Sequence, residues 1–362
     1  MLLLRILLLP LSFFYGCLAG LRNKLFDWKI LSSESFDVPV IAVGNLTAGG
    51  TGKSPHIQYL IALLHQQYKV ATVSRGYKRK TKGFLELNAS SLVEEAGDEP
   101  KQFKMNFPDV LVTVCEKRAD AIHVLLNKES APGVILLDDA YQHRWVRAGL
   151  NILLIDYNYL QEPDFMLPSG TLREWKSGQR RADIIILTKA PKFLSPMEKR
   201  RFIEVVAPMG NQRLYFSYIQ YQNLKPINAG AQKLGADFKL SEYKVLLVTG
   251  IANSAPLLVY LSDNCREVQE MKFPDHYNFS EEDLKKMSSS YRNLLSNKKV
   301  IITTEKDAVR LMENPALESI ADLPLFYLPI EIKFHDEKNS FDEQVLHYVE
   351  NSENSKIHTS GH

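Results

Sequence analysis

Residues 40–55 read VIAVGNLTAGGTGKSP and decide the fold of this chain. The run starts with the apolar residues typical of a buried strand and continues into a glycine-rich turn that ends in Gly-Lys-Ser. A turn of this kind, placed between a strand and a helix, lets backbone N–H groups converge on phosphate oxygens. Lys53 would reach the β- and γ-phosphates of ATP, and Ser54 would offer its hydroxyl to Mg²⁺. The stretch therefore predicts a P-loop.

One position departs from the usual P-loop pattern, because Thr47 stands where that pattern has its first glycine. The alternative interpretation is a glycine turn that binds nothing, but the strand before the loop and the Gly-Lys-Ser ending favour phosphate binding. The residues predicted to hold the nucleotide are Thr47, Ala48, Gly49, Gly50, Thr51, Gly52, Lys53 and Ser54.

Similar apolar runs recur along the chain after this loop, with helical stretches between them. The runs are Val40–Gly44, Val70–Ser74, Val110–Cys115, Val134–Asp138, Ile152–Asp156 and Ile184–Thr188. They do not alternate between apolar and polar residues, which is typical of a parallel sheet covered on both faces. The sequence therefore predicts an α/β fold with a doubly wound parallel sheet over residues 31–212.

A second, smaller α/β domain is predicted over residues 241–350. Its candidate strands are Val245–Thr249, Val300–Thr304 and Leu325–Leu328. Residues 213–240 are polar and rich in tyrosine, and their early alternation indicates a linker or β-ribbon. Residues 351–362 have the polar composition of a flexible tail.

The overall composition excludes several classes of protein. The chain has 362 residues, 45% of them hydrophobic, and a formal net charge of +2. So small a net charge argues against nucleic acid as the main partner. The three cysteines are too few and too scattered for a disulfide scaffold or a cysteine zinc site.

The N-terminus differs from the rest of the chain. Residues 6–21 carry no charge, and basic residues flank them on both sides. Sixteen helical residues would span only about 24 Å, less than the hydrocarbon core of a bilayer, and Pro10 would kink them. A cleaved signal peptide, a transmembrane helix and a buried core helix remain open. The favoured prediction is a membrane-associated helix within residues 1–30 that lies in one leaflet.

A P-loop also needs a carboxylate to support the metal ion. Asp138 and Asp139 end the apolar run VILLDD and are the candidates. Since neighbouring residues of a strand point to opposite faces, at most one should face the metal, and Asp138 is preferred. The alternative is that both cap the following turn.

The absence of a guanine-binding motif argues against a GTPase. The guanine-binding pattern Asn/Thr-Lys-x-Asp fails at Thr188-Lys189-Ala190-Pro191, which lacks the aspartate. An ATP-dependent kinase needs a base for the acceptor hydroxyl instead. Three polar clusters could supply it, at residues 97–100, 168–174 and 273–276.

At this point the chain resembles a known family, the tetraacyldisaccharide 4′-kinases of lipid A biosynthesis. The matching stretches occur in the family's order over most of the chain: VGNLTAGGTGKSP (43–55), SRGY (74–77), AGDEP (96–100), DDAYQHR (138–144), LPSGTLRE (167–174), FPDH (273–276) and TTEKDAVR (303–310). The resemblance implies transfer of the ATP γ-phosphate to the 4′-hydroxyl of an acylated glucosamine disaccharide 1-phosphate. It also implies an enzyme at the cytoplasmic face of the inner membrane, with ATP and Mg²⁺ as cofactors.

The resemblance further assigns expected roles by motif position. Asp98 corresponds to the catalytic base and His276 to its partner from the second domain, with Lys53 on the transferred phosphate. The expected metal residues are Ser54, Glu99, Asp138 and Asp139. The expected substrate or phosphate contacts are Arg75, Tyr77, Arg118, Gln142, His143 and Arg173. A P-loop NTPase that couples ATP hydrolysis to partner assembly at the membrane is the alternative, and it has no need of an Asp98–His276 pair.

Overall fold

The computed structural model describes residues 2–158, 160, 164–235, 238–335 and 340–359. Its strands are β1 (Val40–Asn45), β2 (Val70–Ser74), β3 (Leu85–Glu86), β4 (Leu111–Val114), β5 (Val134–Asp138), β6 (Leu150–Asp156), β7 (Ile184–Thr188), β8 (Arg213–Tyr221), β9 (Lys225–Pro226), β10 (Lys244–Thr249), β11 (Glu267–Lys272), β12 (Lys299–Thr304), β13 (Leu325–Leu328) and β14 (Ile330–Phe334). Its α-helices are α1 (Leu2–Asp27), α2 (Lys53–Leu64), α3 (Val93–Ala96), α4 (Asp98–Asn106), α5 (Arg118–Leu126), α6 (Pro196–Val206), α7 (Ala229–Gln232), α8 (Ala255–Asn264), α9 (Glu281–Asn293), α10 (Glu305–Met312) and α11 (Ser340–Thr359).

The large sheet forms because its central strands are apolar on both faces. Its order is β14-β8-β7-β6-β1-β5-β2-β4-β3, parallel from β8 to β4 with one antiparallel strand at each edge. In β1, Ile41 packs with Ile57 of α2 on one face, while Val40 and Ala42 join the core of the opposite face. Helices cover both faces, so the prediction of a doubly wound α/β fold is confirmed.

The register of the sheet positions the P-loop beside the candidate metal carboxylates. Strand β1 pairs with β5 in parallel, and Val43 lies opposite Asp138. Both strands therefore end at the same edge of the sheet, where β1 continues into the glycine-rich loop.

The smaller sheet has the order β11-β10-β12-β13-β9 and contains the three strands that the sequence predicts for it. Strand β11 was not predicted. Its sequence EVQEMK is half-exposed and polar, as suits an edge strand, and so it lacks the apolar run that reveals a buried strand.

The predicted linker does not form a ribbon in which its own strands pair with each other. Strand β8 extends the large sheet beside β7 and pairs antiparallel with β14, which comes from beyond residue 329. Strand β9 pairs with β13 of the smaller sheet. Residues 213–226 therefore contribute one strand to each sheet, because the alternating pattern of β8 finds its partner far away in sequence.

The C-terminal segment also departs from the predicted boundaries. Phe341, Val345 and Val349 of α11 bury against Ile57 in the core of the large sheet rather than in the smaller unit. Their spacing predicts an apolar helix face, but it does not reveal which sheet that face covers. Helix α11 continues to Thr359, where a flexible tail from residue 351 was predicted, and residues 360–362 lie outside the described part.

Helix α1 is continuous through Pro10 and lies along the large-sheet unit. The segment Arg5–Asp27 is, by length and composition, a helix able to cross a membrane, with a mean hydropathy of 1.4. In the middle of the helix, its protein-facing side includes the small residues Ser12, Gly16 and Ala19. The ring of Trp175 lies where a Cβ on Gly16 would be, 2.5 Å from Cζ2, so this side requires glycine.

Candidate active site

The glycine-rich loop has the geometry of a phosphate cradle. Gly49 and Gly52 adopt positive φ angles of 119° and 85°, which other residues rarely take, and Lys53 begins α2. The loop is braced from behind: the Thr188 hydroxyl donates to the Thr51 carbonyl at 2.9 Å. Gly49 and Gly50 are exposed at the tip. The backbone N–H groups at the start of α2 are thus available to an anionic ligand.

Lys53 lies near the two aspartates at the end of β5. Its Nζ lies 3.6 Å from Asp139 Oδ1 and 3.4 Å from Asn45 Oδ1. Strand β5 ends at Asp138, and Asp139 takes a left-handed φ of 45°. Side chains alternate between the two faces only within a strand, and Asp139 lies beyond the end of β5. The argument that only one of Asp138 and Asp139 can face the metal therefore does not apply.

Asp138 is placed where a cation would be stabilised. Burial raises the pKa of Asp138, and the charges of Glu99 and Asp139 raise it further, against the opposing effects of Lys53 and Ser74. The Ser74 hydroxyl donates to Oδ2 at 3.2 Å, while the buried Oδ1 has no hydrogen-bond partner among the described residues. A divalent cation bound here would satisfy that oxygen and relieve the repulsion among the carboxylates.

The described residues contain no group of three or more His, Cys, Asp or Glu side chains arranged as a ready-made metal site. That fits Mg²⁺, which is usually held by one or two carboxylates together with water and substrate phosphate oxygens. The predicted donors, Ser54, Glu99, Asp138 and Asp139, therefore suit this ion.

Two of the predicted arginines also converge on this edge of the sheet. Arg173 Nη1 lies 3.0 Å from both oxygens of Asp139. Arg118 is buried, with Nη2 3.5 Å from the Asp138 carbonyl and Nε without a partner among the described residues. A buried guanidinium with an unpartnered N–H is stabilised by a nearby anionic group.

Asp98 and His276, which are distant in sequence, are in direct contact. His276 Nδ1 lies 2.9 Å from Asp98 Oδ2, although Asp98 belongs to the large-sheet unit and His276 to the smaller unit. Lys306 Nζ lies 3.3 Å from His276 Nε2 and 3.6 Å from Asp98 Oδ2. Arg310 Nη2 also lies 3.1 Å from His276 Nδ1, so the imidazole is in contact with the carboxylate of Asp98 and with two cationic side chains.

The carboxyl of Asp98 is held ionised. Burial opposes ionisation, but the hydrogen bond from His276 and the charges of Lys306 and Arg310 lower the pKa of Asp98 well below its ordinary value. Asp98 is the first residue of α4 and is preceded by Gly97, which has a φ of 92°. The helix N-terminus also favours a negative charge at this position.

The remaining predicted residues line the space around these two clusters. The exposed Tyr77 lies with its ring 5.4 Å from that of His276. Gln142 Nε2 donates to the Asn45 carbonyl at 2.7 Å, at the base of the P-loop. Burial, together with Arg118, Arg22 and Arg75, lowers the pKa of His143 to about 4. Arg75 itself is exposed.

Sequence reasoning missed Lys306 and Arg310. Both lie in the motif TTEKDAVR, which was recognised but given no chemical role. They reach Asp98 across more than 200 positions of sequence, so no local pattern could reveal the contact. The only signal was the density of charge within one short motif.

The similarity of this chain to known proteins agrees with this geometry. A model of the family described as tetraacyldisaccharide-1-P 4'-kinase matches residues 4–350. This chain belongs to that family.

Individual relatives agree with the family match. The tetraacyldisaccharide 4'-kinase of Flavobacterium johnsoniae is 46% identical over 348 residues, covering 96% of this chain and 98% of that protein. The enzyme of Phocaeicola vulgatus is 43% identical over 354 residues, covering 97% of each. The crystal structure of LpxK from Aquifex aeolicus in complex with ATP has a TM-score of 0.72 and 30% identity, and covers 96% of this chain and 99% of that chain. The predicted family, fold class and enzyme class, a kinase, are therefore confirmed.

Proposed function

We propose that this chain transfers the γ-phosphate of ATP to the 4′-hydroxyl of an acylated glucosamine disaccharide 1-phosphate, a lipid A precursor. The observation that carries this proposal is the Asp98–His276 contact beside an intact P-loop. A phosphate cradle alone serves many NTPases, but a buried carboxylate with a histidine partner serves a reaction that must deprotonate an acceptor hydroxyl.

The nucleotide half of the reaction falls to the loop and to α2. Backbone N–H groups from Thr47 to Gly52 would bind the phosphates, and Lys53 would place its charge on the group being transferred. Arg118 and Arg173 would stabilise the charge that develops there. The bound Mg²⁺, held by Ser54, Asp138, Asp139 and Glu99, would supply charge neutralisation on the phosphate oxygens.

The acceptor half falls to the pair formed between the two units. Asp98 would accept the proton of the sugar hydroxyl as that oxygen attacks phosphorus, and His276 would hold the carboxylate in place. Because Glu99 follows Asp98 directly and Lys306 Nζ lies 3.7 Å from Glu99 Oε1, the base adjoins the metal carboxylates. Attacking hydroxyl and transferred phosphoryl group would meet in this space.

Helix α1 would bring the enzyme to its lipid substrate. It contacts the same segment that carries Arg173: the Tyr15 hydroxyl donates to the Arg173 carbonyl at 3.1 Å, and Asn23 donates to Glu174 at 2.8 Å. Contacts along the length of α1, from the Arg5 carbonyl to Phe26, favour a helix lying on the cytoplasmic face of the membrane rather than one standing clear of the enzyme.

The direct test uses ATP labelled at the γ-phosphate, with an acylated disaccharide 1-phosphate in mixed micelles. The proposal predicts label on the lipid, at the 4′ position, and loss of that label in Lys53→Ala. Label released only as free phosphate would support the NTPase alternative. If the folded protein binds ATP but forms neither product, the result would indicate a binding protein rather than an enzyme.

A further inference from the structure

Arg310 of α10 lies in contact with Asp98, the candidate base. Its side chain is only 4% exposed, and its guanidinium contacts two carboxylates, Asp98 through Nη2 and Asp307 through Nη1 at 3.2 Å. A buried guanidinium is tolerated only when it is paired in this way. Arg310 therefore links the candidate base, in the large-sheet unit, to a carboxylate of the smaller unit.

Arg310 is itself held by a rigid frame. Asp307 is fully buried and accepts hydrogen bonds from the Gly250 N–H at 2.9 Å and from the Thr304 hydroxyl at 2.7 Å. The Gly250 carbonyl in turn accepts from the His276 N–H at 3.1 Å. Two of the side chains that contact Asp98 are thus held by the same glycine, His276 directly and Arg310 through Asp307. A Cβ at Gly250 would lie 2.9 Å from Asp307 Oδ1 and 3.3 Å from the Pro274 carbonyl, so the frame has no room for a side chain there.

Among the described residues, the ionic contacts of Asp98 are made to one of its two oxygens. Arg310, His276 and Lys306 each reach Oδ2. A carboxylate has lone pairs on both oxygens, so this arrangement leaves Oδ1 for another hydrogen-bond donor.

We propose that Arg310 is a positioning residue for the phosphoryl transfer: by holding Asp98 Oδ2 from the smaller unit, it turns Oδ1 toward the acceptor hydroxyl. This inference rests on the proposed role of Asp98 as the base. It adds that the smaller unit acts on the chemical step through a buried ion pair as well as through His276, and that the Asp307–Gly250 frame fixes the angle of the base.

The test measures kcat and both KM values for Arg310→Gln in the full-length enzyme with ATP and acylated disaccharide 1-phosphate. Misorientation of the base should lower kcat at least about tenfold, while the KM for ATP changes by less than about threefold. Arg310→Lys, which restores a cation, should recover most of the lost kcat. The matched control is Glu313→Gln, which weakens another contact of the same segment with the large-sheet unit, the one to the Val93 N–H, away from Asp98.

The combination with Asp98→Asn separates the possible outcomes. If Arg310 acts through Asp98, adding Arg310→Gln to Asp98→Asn should change the residual kcat by less than about threefold, since residues acting as one unit are non-additive. This double variant also serves if the single variant does not fold. A normal kcat in folded Arg310→Gln, equal losses in Arg310→Gln and Glu313→Gln, or multiplied losses in the double variant would overturn the inference. Normal turnover in Asp98→Asn would instead remove the base assigned under the proposed function.

Discussion

Two buried aspartates, 40 positions apart, have pKa values shifted in opposite directions. Burial opposes the ionisation of both; at Asp98 a histidine and two cations outweigh it and lower the pKa, whereas at Asp138 the charges of Glu99 and Asp139 add to it and raise the pKa. The first environment keeps a proton acceptor ionised, and the second requires a cation to be stable. Divergent environments of this kind commonly separate the roles of carboxylates within one active site.

His56 in α2 gives a prediction of stability against pH. It is buried between the Gly52 carbonyl, 2.7 Å from Nδ1, and the Ser217 hydroxyl, 3.0 Å from Nε2. Burial lowers the pKa of His56 from 6.5 to about 4. As the pH falls below 6.5, His56 therefore binds a proton in the unfolded chain but stays neutral in the folded chain. Stability from this group is complete above that pH and declines toward pH 4.

The measurement compares the free energy of unfolding of the wild type and of His56→Gln, which has no proton to gain. Between pH 7 and pH 4.5 the wild type should lose about 2 kcal/mol more than the variant. Parallel pH dependence of the two proteins would contradict the burial of a neutral histidine beneath the P-loop. Carboxylates titrate in both proteins and cancel in the comparison.

The residues of the nucleotide site could be predicted from sequence because each lies in a contiguous motif whose chemistry depends on spacing. Lys53 and Ser54 follow the glycines directly, and Asp138 ends an apolar strand. The position of Asp139 could not be predicted, since it depends on a left-handed backbone angle after the strand. Arg310 could not be predicted either, because its pairing with Asp98 depends on how two sheets meet.

At the scale of elements, α1 has two different faces. Leu7, Leu11, Phe14 and Leu18 recur at helical spacing and are all more than half exposed, while small residues pack on the opposite side. When one side of a helix packs against the protein and the other side carries an exposed apolar stripe, the stripe favours shallow insertion into one leaflet of the membrane. The apolar run and its basic flanks were visible in the sequence, but the division into faces required the position of Trp175.

Helix α1 can be tested without disturbing the contacts that it makes with the enzyme. The triple variant Leu7→Gln, Phe14→Gln, Leu18→Gln changes only exposed side chains. It should move the protein from membranes to the soluble fraction and lower kcat/KM on the fully acylated substrate at least about tenfold, because the lipid must then be captured from solution. Turnover of a short-chain soluble analogue should change by less than about twofold.

Val259→Gln with Leu295→Gln is the matched control, since both residues are exposed and apolar but lie in the smaller unit. This variant should stay on membranes. Equal losses on both substrates in the α1 variant would indicate that the stripe supports the fold rather than membrane binding.

Across the whole molecule, helix α10 joins the two units. The carboxylate of Glu305, only 5% exposed, accepts hydrogen bonds from Gln102 at 2.6 Å and from Asn106 at 3.0 Å, both on α4. The chain crosses between the sheets at β8–β9 and again at β13–β14. The apolar runs predicted most strands of the two sheets, but these crossings and contacts depend on partners that are distant in sequence.

Glu305→Gln tests this junction. The change removes the charge that strengthens both hydrogen bonds, and its new NH₂ group faces an NH₂ group of α4 unless that amide turns round. We expect the free energy of unfolding to fall by about 1–3 kcal/mol, as for hydrogen bonds to a buried charge. Glu281→Gln, which changes an exposed i,i+4 pair of the smaller unit, should change it by less than about 0.5 kcal/mol. Equal effects would contradict a stabilising junction at α10.

The proposed role of Asp98 is to take the proton of the acceptor hydroxyl in a kinase site that the two units form together. The steady-state kinetics of Asp98→Asn measure this role, because the change is nearly isosteric and removes the proton acceptor. A catalytic base at Asp98 predicts a kcat lowered by about 10²–10⁴-fold with little change in the KM for ATP, a smaller loss in His276→Ala, and a double variant scarcely worse than Asp98→Asn alone. Ordinary turnover in Asp98→Asn, or strictly multiplied losses in the double variant, would contradict it and would make Asp139 the next candidate for the base.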